Sequence, residues 1–246
     1  DLATLPMEEM RFLDLDFEEA GLGGAGMRGA VLVDCRLSGV SMRRVGLAEA
    51  HMEATTFRSC EGMEACFQGA ELVNCRFEET PLGNAIFSGA EVIGVVFSAA
   101  ELYGAHFDGT VMVRSRFENR RLGNAILSKS DFSRSILLDV DFSAADLAGC
   151  NFRDSLLVRA NFSDANLAGA DFTGARLVDV NLSRVATDEE ARVSLKAALV
   201  AGPDERTELL GFLSERGDRM IPVIHALLVG YVLGRVNVAP AVTEGA

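Results

Sequence analysis

The sequence lacks tryptophan and has only two tyrosines, three histidines and five prolines among its 246 residues. It also has few basic residues: 23 Lys and Arg stand against 36 Asp and Glu, which gives a formal net charge of −13. A protein that binds nucleic acid through phosphates needs a basic surface, so we expect no direct nucleic-acid binding. No apolar run reaches the ~18 residues of a membrane-spanning helix, and no signal peptide is recognised. We therefore expect no membrane association and a cytoplasmic location.

Motifs of catalysis and cofactor binding are missing as well. We find no Gly-rich phosphate loop and no HExxH, GxSxG or CxxC sequence. The five cysteines are odd in number and do not have metal-site spacing, and His51, His106 and His225 are scattered along the chain. The sequence therefore predicts no enzyme activity, no catalytic residue, no metal and no cofactor. Cys66, which is expected to face outward, is the one thiol placed to react.

Large and small apolar residues recur with a period of five. Every residue whose number ends in 2 or 7, from Met7 to Leu182, is Leu, Phe, Met or Val, except Gly62. The residue two places earlier is Ala, Val, Cys, Ser or Thr from Ala20 to Val180, except Arg120. This period fits neither a helix nor a flat strand. It fits a chain that turns a corner every five residues, so that four corners close a coil of 20 residues and the coils stack.

The repeat resembles a known family. Residues 160–172 read ANFSDANLAGADF, which is similar to the A-(D/N)-(L/F)-x-x signature of the pentapeptide-repeat proteins. The resemblance covers about residues 7–182 and implies an all-β solenoid, a right-handed quadrilateral β-helix. Its 36 units predict about nine coils with no interruption. We expect this β-helix to occupy residues 1–185, with Leu5, Met10 and Leu15 capping its N-terminal end.

The two exceptions to the repeat predict local irregularities. Gly62 removes a large inward side chain, and we expect Met63 to turn inward and fill the space. Arg120 stands at a small inward position, where an unpaired charge is very costly. We therefore expect a local polar bulge that lets Arg120 reach solvent.

The C-terminal segment, residues 186–246, is predicted to be helical. Thr187 and Glu190 have the spacing of a capping box, and Val193–Val200 follow as helix. A second helix is expected over Asp204–Arg216, and a third apolar segment covers Ile221–Leu233. The resemblance implies that such an element joins two rods into a homodimer. A cap on the end of the rod is the alternative.

The acidic residues are predicted to form columns, because residues 20 apart should be vertical neighbours in the coil. One column is Glu61, Glu101 and Asp141, and the other is Glu71, Glu91, Asp131 and Asp171. Residues 1–105 hold 17 acidic and 7 basic residues, whereas residues 106–185 hold ten of each. We predict the partner-binding residues from these columns: Glu61, Glu71, Glu91, Glu101, Asp131 and Asp141.

Apolar residues are also predicted on the outside of the rod. The same rule places a patch on the face that carries Arg36 and Arg116, and this patch is made of Ile136, Leu138, Leu156, Val158 and Val178. A second, more broken stripe is predicted on the neighbouring face: Val31, Val33, Val73, Ile93, Val111 and Val113. The patch is covered by the C-terminal helices, is bound by a partner or second copy, or is simply tolerated in water.

The resemblance implies a non-catalytic binding function. The best-known pentapeptide-repeat proteins are acidic rods that mimic DNA, dimerise through their C-termini and protect DNA gyrase or topoisomerase IV from inhibitors. We predict a protein partner of this kind, a type II topoisomerase. The alternative is a general protein-interaction scaffold that uses the apolar patch and the helical C-terminal segment.

Overall fold

The computed structural model describes residues 2, 4–118 and 126–200 as a parallel β-solenoid that ends in one α-helix. Of Glu118, Ala197, Leu199 and Val200 only the backbone is described. Each coil has four sides of five residues, and the predicted all-β solenoid is confirmed. No helix in the described part is long and apolar enough to cross a membrane.

The described residues contain 15 strands of three residues each. The strands are β1 (Arg11–Leu13), β2 (Asp16–Glu18), β3 (Val31–Val33), β4 (Arg36–Ser38), β5 (His51–Glu53), β6 (Thr56–Arg58), β7 (Glu71–Val73), β8 (Arg76–Glu78), β9 (Glu91–Ile93), β10 (Val96–Ser98), β11 (Val111–Val113), β12 (Arg116–Glu118), β13 (Ile136–Leu138), β14 (Leu156–Val158) and β15 (Arg176–Val178).

Two parallel sheets form two of the four faces. The first face is the long sheet, in the order β1-β3-β5-β7-β9-β11-β13-β14-β15, and the second face is the short sheet, in the order β2-β4-β6-β8-β10-β12. The third and fourth faces are tied by isolated parallel bridges, such as Ser41 with Glu61 on the third and Gly46 with Cys66 on the fourth. Each inner strand therefore pairs with the coils above and below it, which gives one continuous rod.

The corners require a left-handed backbone conformation. The residue two places after each large inward residue has a positive φ, for example 52° at Asp14 and 74° at Gly24. Gly adopts this conformation freely, and Asp and Asn do so more readily than other residues. This requirement explains why Gly, Asp and Asn recur at the end of the five-residue unit.

Two columns of stacked phenylalanine rings fill the inside of the rod. The second-face stack is Phe57, Phe77, Phe97, Phe117, Phe142 and Phe162, and the fourth-face stack is Phe67, Phe87, Phe107, Phe132, Phe152 and Phe172. Neighbouring rings in a stack are 4.7–5.2 Å apart, and rings of the two stacks meet edge to face. Both geometries are favourable for aromatic pairs.

The small inward positions also accept hydroxyl groups because the backbone satisfies them. The Thr80 hydroxyl donates to the Phe57 carbonyl at 3.2 Å, and the Ser130 hydroxyl donates to the Leu102 carbonyl at 2.9 Å. Buried polar groups with such partners avoid the cost of desolvation. Ser and Thr can therefore replace Ala inside the rod.

The register of the coils changes once. Up to β11 the pairing partners are 20 residues apart, but Val111 pairs with Ile136 and Arg116 bridges Asp141, an offset of 25. From β13 onward the offset is 20 again. Five extra residues therefore lie between Phe117 and Leu127. The prediction of uninterrupted repeats is wrong at this point. About eight turns connect the nine strands of the first face, from β1 to β15.

The helix α1, Glu189–Val200, covers the C-terminal end of the coil. Asp188 is its N-cap, since its carboxylate accepts the backbone N–H of Ala191 at 2.9 Å. The predicted cap at Thr187 is therefore wrong by one residue. Leu195 of α1 is buried in the core, and the Ser194 hydroxyl accepts the N–H of Phe172 at 3.2 Å. This bond partly satisfies the backbone hydrogen-bonding groups of the last coil, which would otherwise form an open edge. Predictions for residues 201–246 lie outside the described residues.

Two further local predictions are wrong. Met63 is exposed rather than turned inward, and the Leu82 side chain occupies the space beside Gly62, where an added Cβ would lie 2.7 Å from Leu82 Cδ2. At the N-terminal end, Leu5, Met10 and Leu15 are about half exposed, so they do not bury themselves as a cap. Arg120 lies outside the described residues.

Candidate protein-binding surfaces

The change of register divides the predicted acidic columns among four faces. Glu61 and Glu101 share the third face, whose next members are Ile126 and Asp146, so Asp141 does not continue this column. Asp141 follows Arg116 on the second face.

The second predicted column divides in the same way. Glu71 and Glu91 pair on the first face, while Asp131 follows His106 and leads through Asn151 to Asp171 on the fourth. The predicted columns are therefore wrong where they cross residues 119–125, whereas Asp131 and Asp171 share a face as predicted. The role of these residues in binding stays a prediction.

The N-terminal coils carry the exposed negative charge. Six carboxylates there are exposed and form no ion pair with any described residue: Glu8, Glu9, Asp14, Glu18, Glu19 and Asp34. Burial raises the pKa of the Cys35 thiol, and the charges of Asp34 and Asp14 add to the increase.

Ion pairs between successive coils neutralise individual carboxylates in the C-terminal half. Arg159 donates two hydrogen bonds to Asp139, at 2.7 and 2.8 Å, and Arg184 binds Asp164 in the same two-pronged way. The hydrogen bond from Arg184 lowers the pKa of Asp164. Arg153 likewise contacts Asp171 at 2.8 Å. Residues 106–185 are thus balanced in count, and these three pairs neutralise Asp139, Asp164 and Asp171 locally.

The two predicted apolar stripes form a single band on the first face. Because Val111 pairs with Ile136 and not with Asp131, β13 and β14 continue the long sheet from β11. The prediction that Ile136 and Leu156 share a face with Arg36 and Arg116 is therefore wrong. We call these side chains the apolar band: Ile93, Val111, Val113, Ile136, Leu138, Leu156 and Val158.

The apolar band is buried although its side chains point away from the core. In each strand the middle residue faces the core, as Leu157 does in β14, and the two flanking residues face outward. Yet Ile136 is 2% exposed, Leu156 8% and Val158 0%. Val178, on β15, is half-buried. The alternative that this patch is simply tolerated in water is therefore wrong for β13 and β14.

A signal for the register change is present in the sequence but was missed. Phenylalanine recurs every ten residues from Phe57 to Phe117 and again from Phe132 to Phe172, but 15 residues separate Phe117 from Phe132. The phase of this longer period changes by five residues, whereas the five-residue period continues unbroken. Only the ten-residue period distinguishes units of the second and fourth faces from units of the first and third.

The cysteines are not arranged for chemistry. Burial raises the pKa of the Cys75 and Cys150 thiols to about 12, and it also raises the pKa of Cys35 and Cys60. A thiol with a raised pKa is a poor nucleophile at neutral pH. Cys66 is half-buried and lies on the fourth face, outside the core.

One cluster in the described part brings together three side chains of the metal-ligating type. The change of register places Asp131 beside His106, and together with Asp108 their ligand atoms lie within 4.8 Å of one another. Asp108 accepts a hydrogen bond of 2.5 Å from the Ser88 hydroxyl, and Asp131 accepts the Ser133 N–H at 2.9 Å. Both carboxylates are therefore engaged by the protein itself.

Fold and surface together define a rod of stacked five-residue units. The model of the pentapeptide repeats matches residues 112–154 and 145–184, with eight copies. The predicted resemblance to pentapeptide-repeat proteins is thereby confirmed. No curated protein matches the chain.

Solved structures with a similar fold include HetL, a pentapeptide-repeat protein involved in heterocyst differentiation regulation from Nostoc sp. strain PCC 7120. It is 21% identical, with a TM-score of 0.50, over 75% of this chain and 92% of HetL. QnrB1, a plasmid-mediated fluoroquinolone resistance protein, is 16% identical with a TM-score of 0.43, over 79% of this chain and 99% of its own. Rfr23 from Cyanothece 51142 is 14% identical with a TM-score of 0.42, over 52% and 93%. At these identities the likeness to HetL shows the fold alone.

Proposed function

We propose that this chain is a non-catalytic binding protein whose acidic N-terminal half docks into a basic, nucleic-acid-binding groove of another protein. The first partner to test is a type II topoisomerase, the partner that the family resemblance suggests. The observation that carries the proposal is the set of six exposed carboxylates on the first coils that no described cation neutralises. A dense negative surface steers and holds a basic partner.

The fold favours this use of charge because it holds the carboxylates in place. Asp14 and Asp34 occupy equivalent corners of successive coils, with φ of 52° and 54°. Each corner is fixed by a backbone hydrogen bond to the next coil, as from Asp14 N–H to the Val33 carbonyl at 2.9 Å. Charges that are already ordered lose little entropy on binding.

The alternative scaffold function loses its main support. It requires an open apolar face, but Ile136, Leu138 and Val158 are at most 2% exposed. Dimerisation through the C-terminal helices concerns residues outside the described part and stays a prediction.

The experiment is a supercoiling and cleavage assay with gyrase and with topoisomerase IV, with and without a quinolone, across a salt series. The test variant is Asp14→Asn/Asp34→Asn. The matched control is Asp154→Asn/Asp179→Asn, which removes two exposed carboxylates in the neutral half from the same positive-φ place in the five-residue unit. Asn keeps the shape and tolerates a positive φ.

We expect protection at near-stoichiometric protein, weakened by salt. The test variant should lower the affinity by roughly three- to tenfold, or ~0.3–0.7 kcal/mol for each charge, while the control stays near the wild type. Equal weakening by both variants would contradict docking through the N-terminal half. Absence of any effect on both enzymes would exclude topoisomerases as the partner.

A further inference from the structure

We propose that residues 201–246 of this chain pack over the apolar band. The C-terminal segment would then follow α1 at the end of the rod and cover the outside of the first face. This inference concerns an intramolecular docking surface and does not depend on the proposed function.

The burial of the band is unequal along one sheet, which shows that something covers part of it. Val33 on β3 and Val113 on β11 have the same residue type and the same outward position in the same sheet. Val33 is half-buried, whereas Val113 is 2% exposed. At β3 the neighbouring coils leave the Val33 side chain half-buried. The additional burial from β9 to β14 therefore requires a further layer on the first face.

The described residues do not supply this layer. The helix α1 contacts β15, and its Ala191, Leu195 and Ala198 side chains are buried at the end of the coil. By the spacing of parallel strands, β11 lies about 14 Å from β15, away from the end that α1 covers. The described residues on either side of 119–125 lie on the second and third faces, so that short segment starts and ends away from the band. We therefore assign this layer to residues 201–246.

The length and composition of residues 201–246 fit this role. The segment continues from Val200, next to β15, and contains 15 consecutive residues without a formal charge, Met220–Gly234. As a helix these would be about 22 Å long, and the sheet from β9 to β15 is about 19 Å wide. Such an apolar stretch matches the band in size and polarity. Charged residues at the rim, including Glu91 and Arg176, are also partnered.

Hydrogen exchange on the full-length protein tests the proposal, with mass spectrometry following the peptides of residues 220–234. The test variant is Val158→Asp, which puts a charge in the centre of the band. The matched control is Val33→Asp, the same change at the equivalent position of β3. We expect slow exchange in the wild type and the control, and at least roughly tenfold faster exchange in Val158→Asp, with the coil still folded by circular dichroism.

A second measurement keeps the test decisive if Val158→Asp fails to fold. The chain has no tryptophan, so the single indole of a Leu156→Trp variant reports on the band alone. Its emission should be that of a buried ring and should shift to the red when Leu228→Asp is added, but not when Thr243→Asp is added.

Two results would overturn the proposal. One is rapid exchange of residues 220–234 in the wild type while the indole of the Leu156→Trp variant remains shielded. The other is protection that disappears on dilution together with a fall from dimer to monomer mass, which would assign the cover to a second copy of the chain.

Discussion

Deleting Asn119–Gly123 tests the register of the rod most directly. The deletion joins Glu118 to Asn124 and leaves the sequence FENAIL, which is a regular repeat. Phe117 and Phe142, whose rings stack at 5.1 Å, would then be 20 residues apart like every other pair in their stack. Because no described core contact is lost, and shortening a loop changes its closure entropy only slightly, the free energy of unfolding should change by no more than about 1 kcal/mol.

The matched control deletes Glu79–Gly83, which also leaves a regular repeat, FENAIF. Here the offset across the deletion is already 20, so the deletion rotates the following coils by one face. The stacked pairs Phe67–Phe87 and Phe77–Phe97 are lost, and their rings meet Val92 and Leu102 instead. Two lost stacks contribute about 0.5–1.5 kcal/mol each, and mismatched packing adds a further cost. Together they should lower the free energy of unfolding by about 2–5 kcal/mol.

Urea unfolding followed by far-ultraviolet circular dichroism measures both variants against the wild type. Similar midpoints and slopes for the wild type and the 119–123 deletion, with a clearly lower midpoint for the control, would support the 25-residue offset. Equal damage from the two deletions would refute the reasoning, since residues 119–123 would then be part of a regular coil and Val111 would pair with Asp131.

Three other predictions concern single residues. Phe107→Ala should lower the free energy of unfolding by about 4 kcal/mol. Phe12→Ala loses one ring contact instead of four, so its loss should be smaller by about 2 kcal/mol. Urea unfolding midpoints check both variants. Native protein at pH 8 should incorporate iodoacetamide at Cys66 alone and the unfolded chain at five thiols, and rapid native labelling of a second thiol would contradict the burial of the others. Arg184 lowers the pKa of Asp164, so this pair stabilises the fold above the ordinary aspartate pKa of about 3.9. The stabilisation is lost as the pH falls through the lowered value. In the Arg184→Ala variant, an NMR titration should find an ordinary pKa for Asp164.

The inside of the rod was predictable from the sequence because its physical requirement repeats in every unit. A large residue such as Leu157 must fill the tube, a small one such as Ala160 must pass the corner, and both appear at fixed places. The N-terminal concentration of acidic residues was equally visible, since charge is counted without knowing the fold. The start of α1 was predicted within about a residue, because Thr187 and Asp188 are both good caps and only geometry chooses between them.

The arrangement of the outer faces was not predictable in the same way. The five-residue period is the same on all four faces, so it continues through Phe117 and Leu127 while the chain changes face between them. A shift by one unit leaves the five-residue pattern unchanged, yet it moves Ile136 from beside Arg116 to beside Val111. The two apolar stripes became one band, and the acidic columns became shorter ones on separate faces.

The sequence by itself therefore determined the coil, its core and its charge gradient, because these follow from local size, turn chemistry and composition. The phenylalanine spacing only indicates the change of register, and the tertiary structure decided which surface residues are neighbours and which are covered. Those relations depend on the number of residues between contacts and on the packing of distant segments. Val33 and Val113 occupy the same place in the repeat, and burial alone distinguishes them.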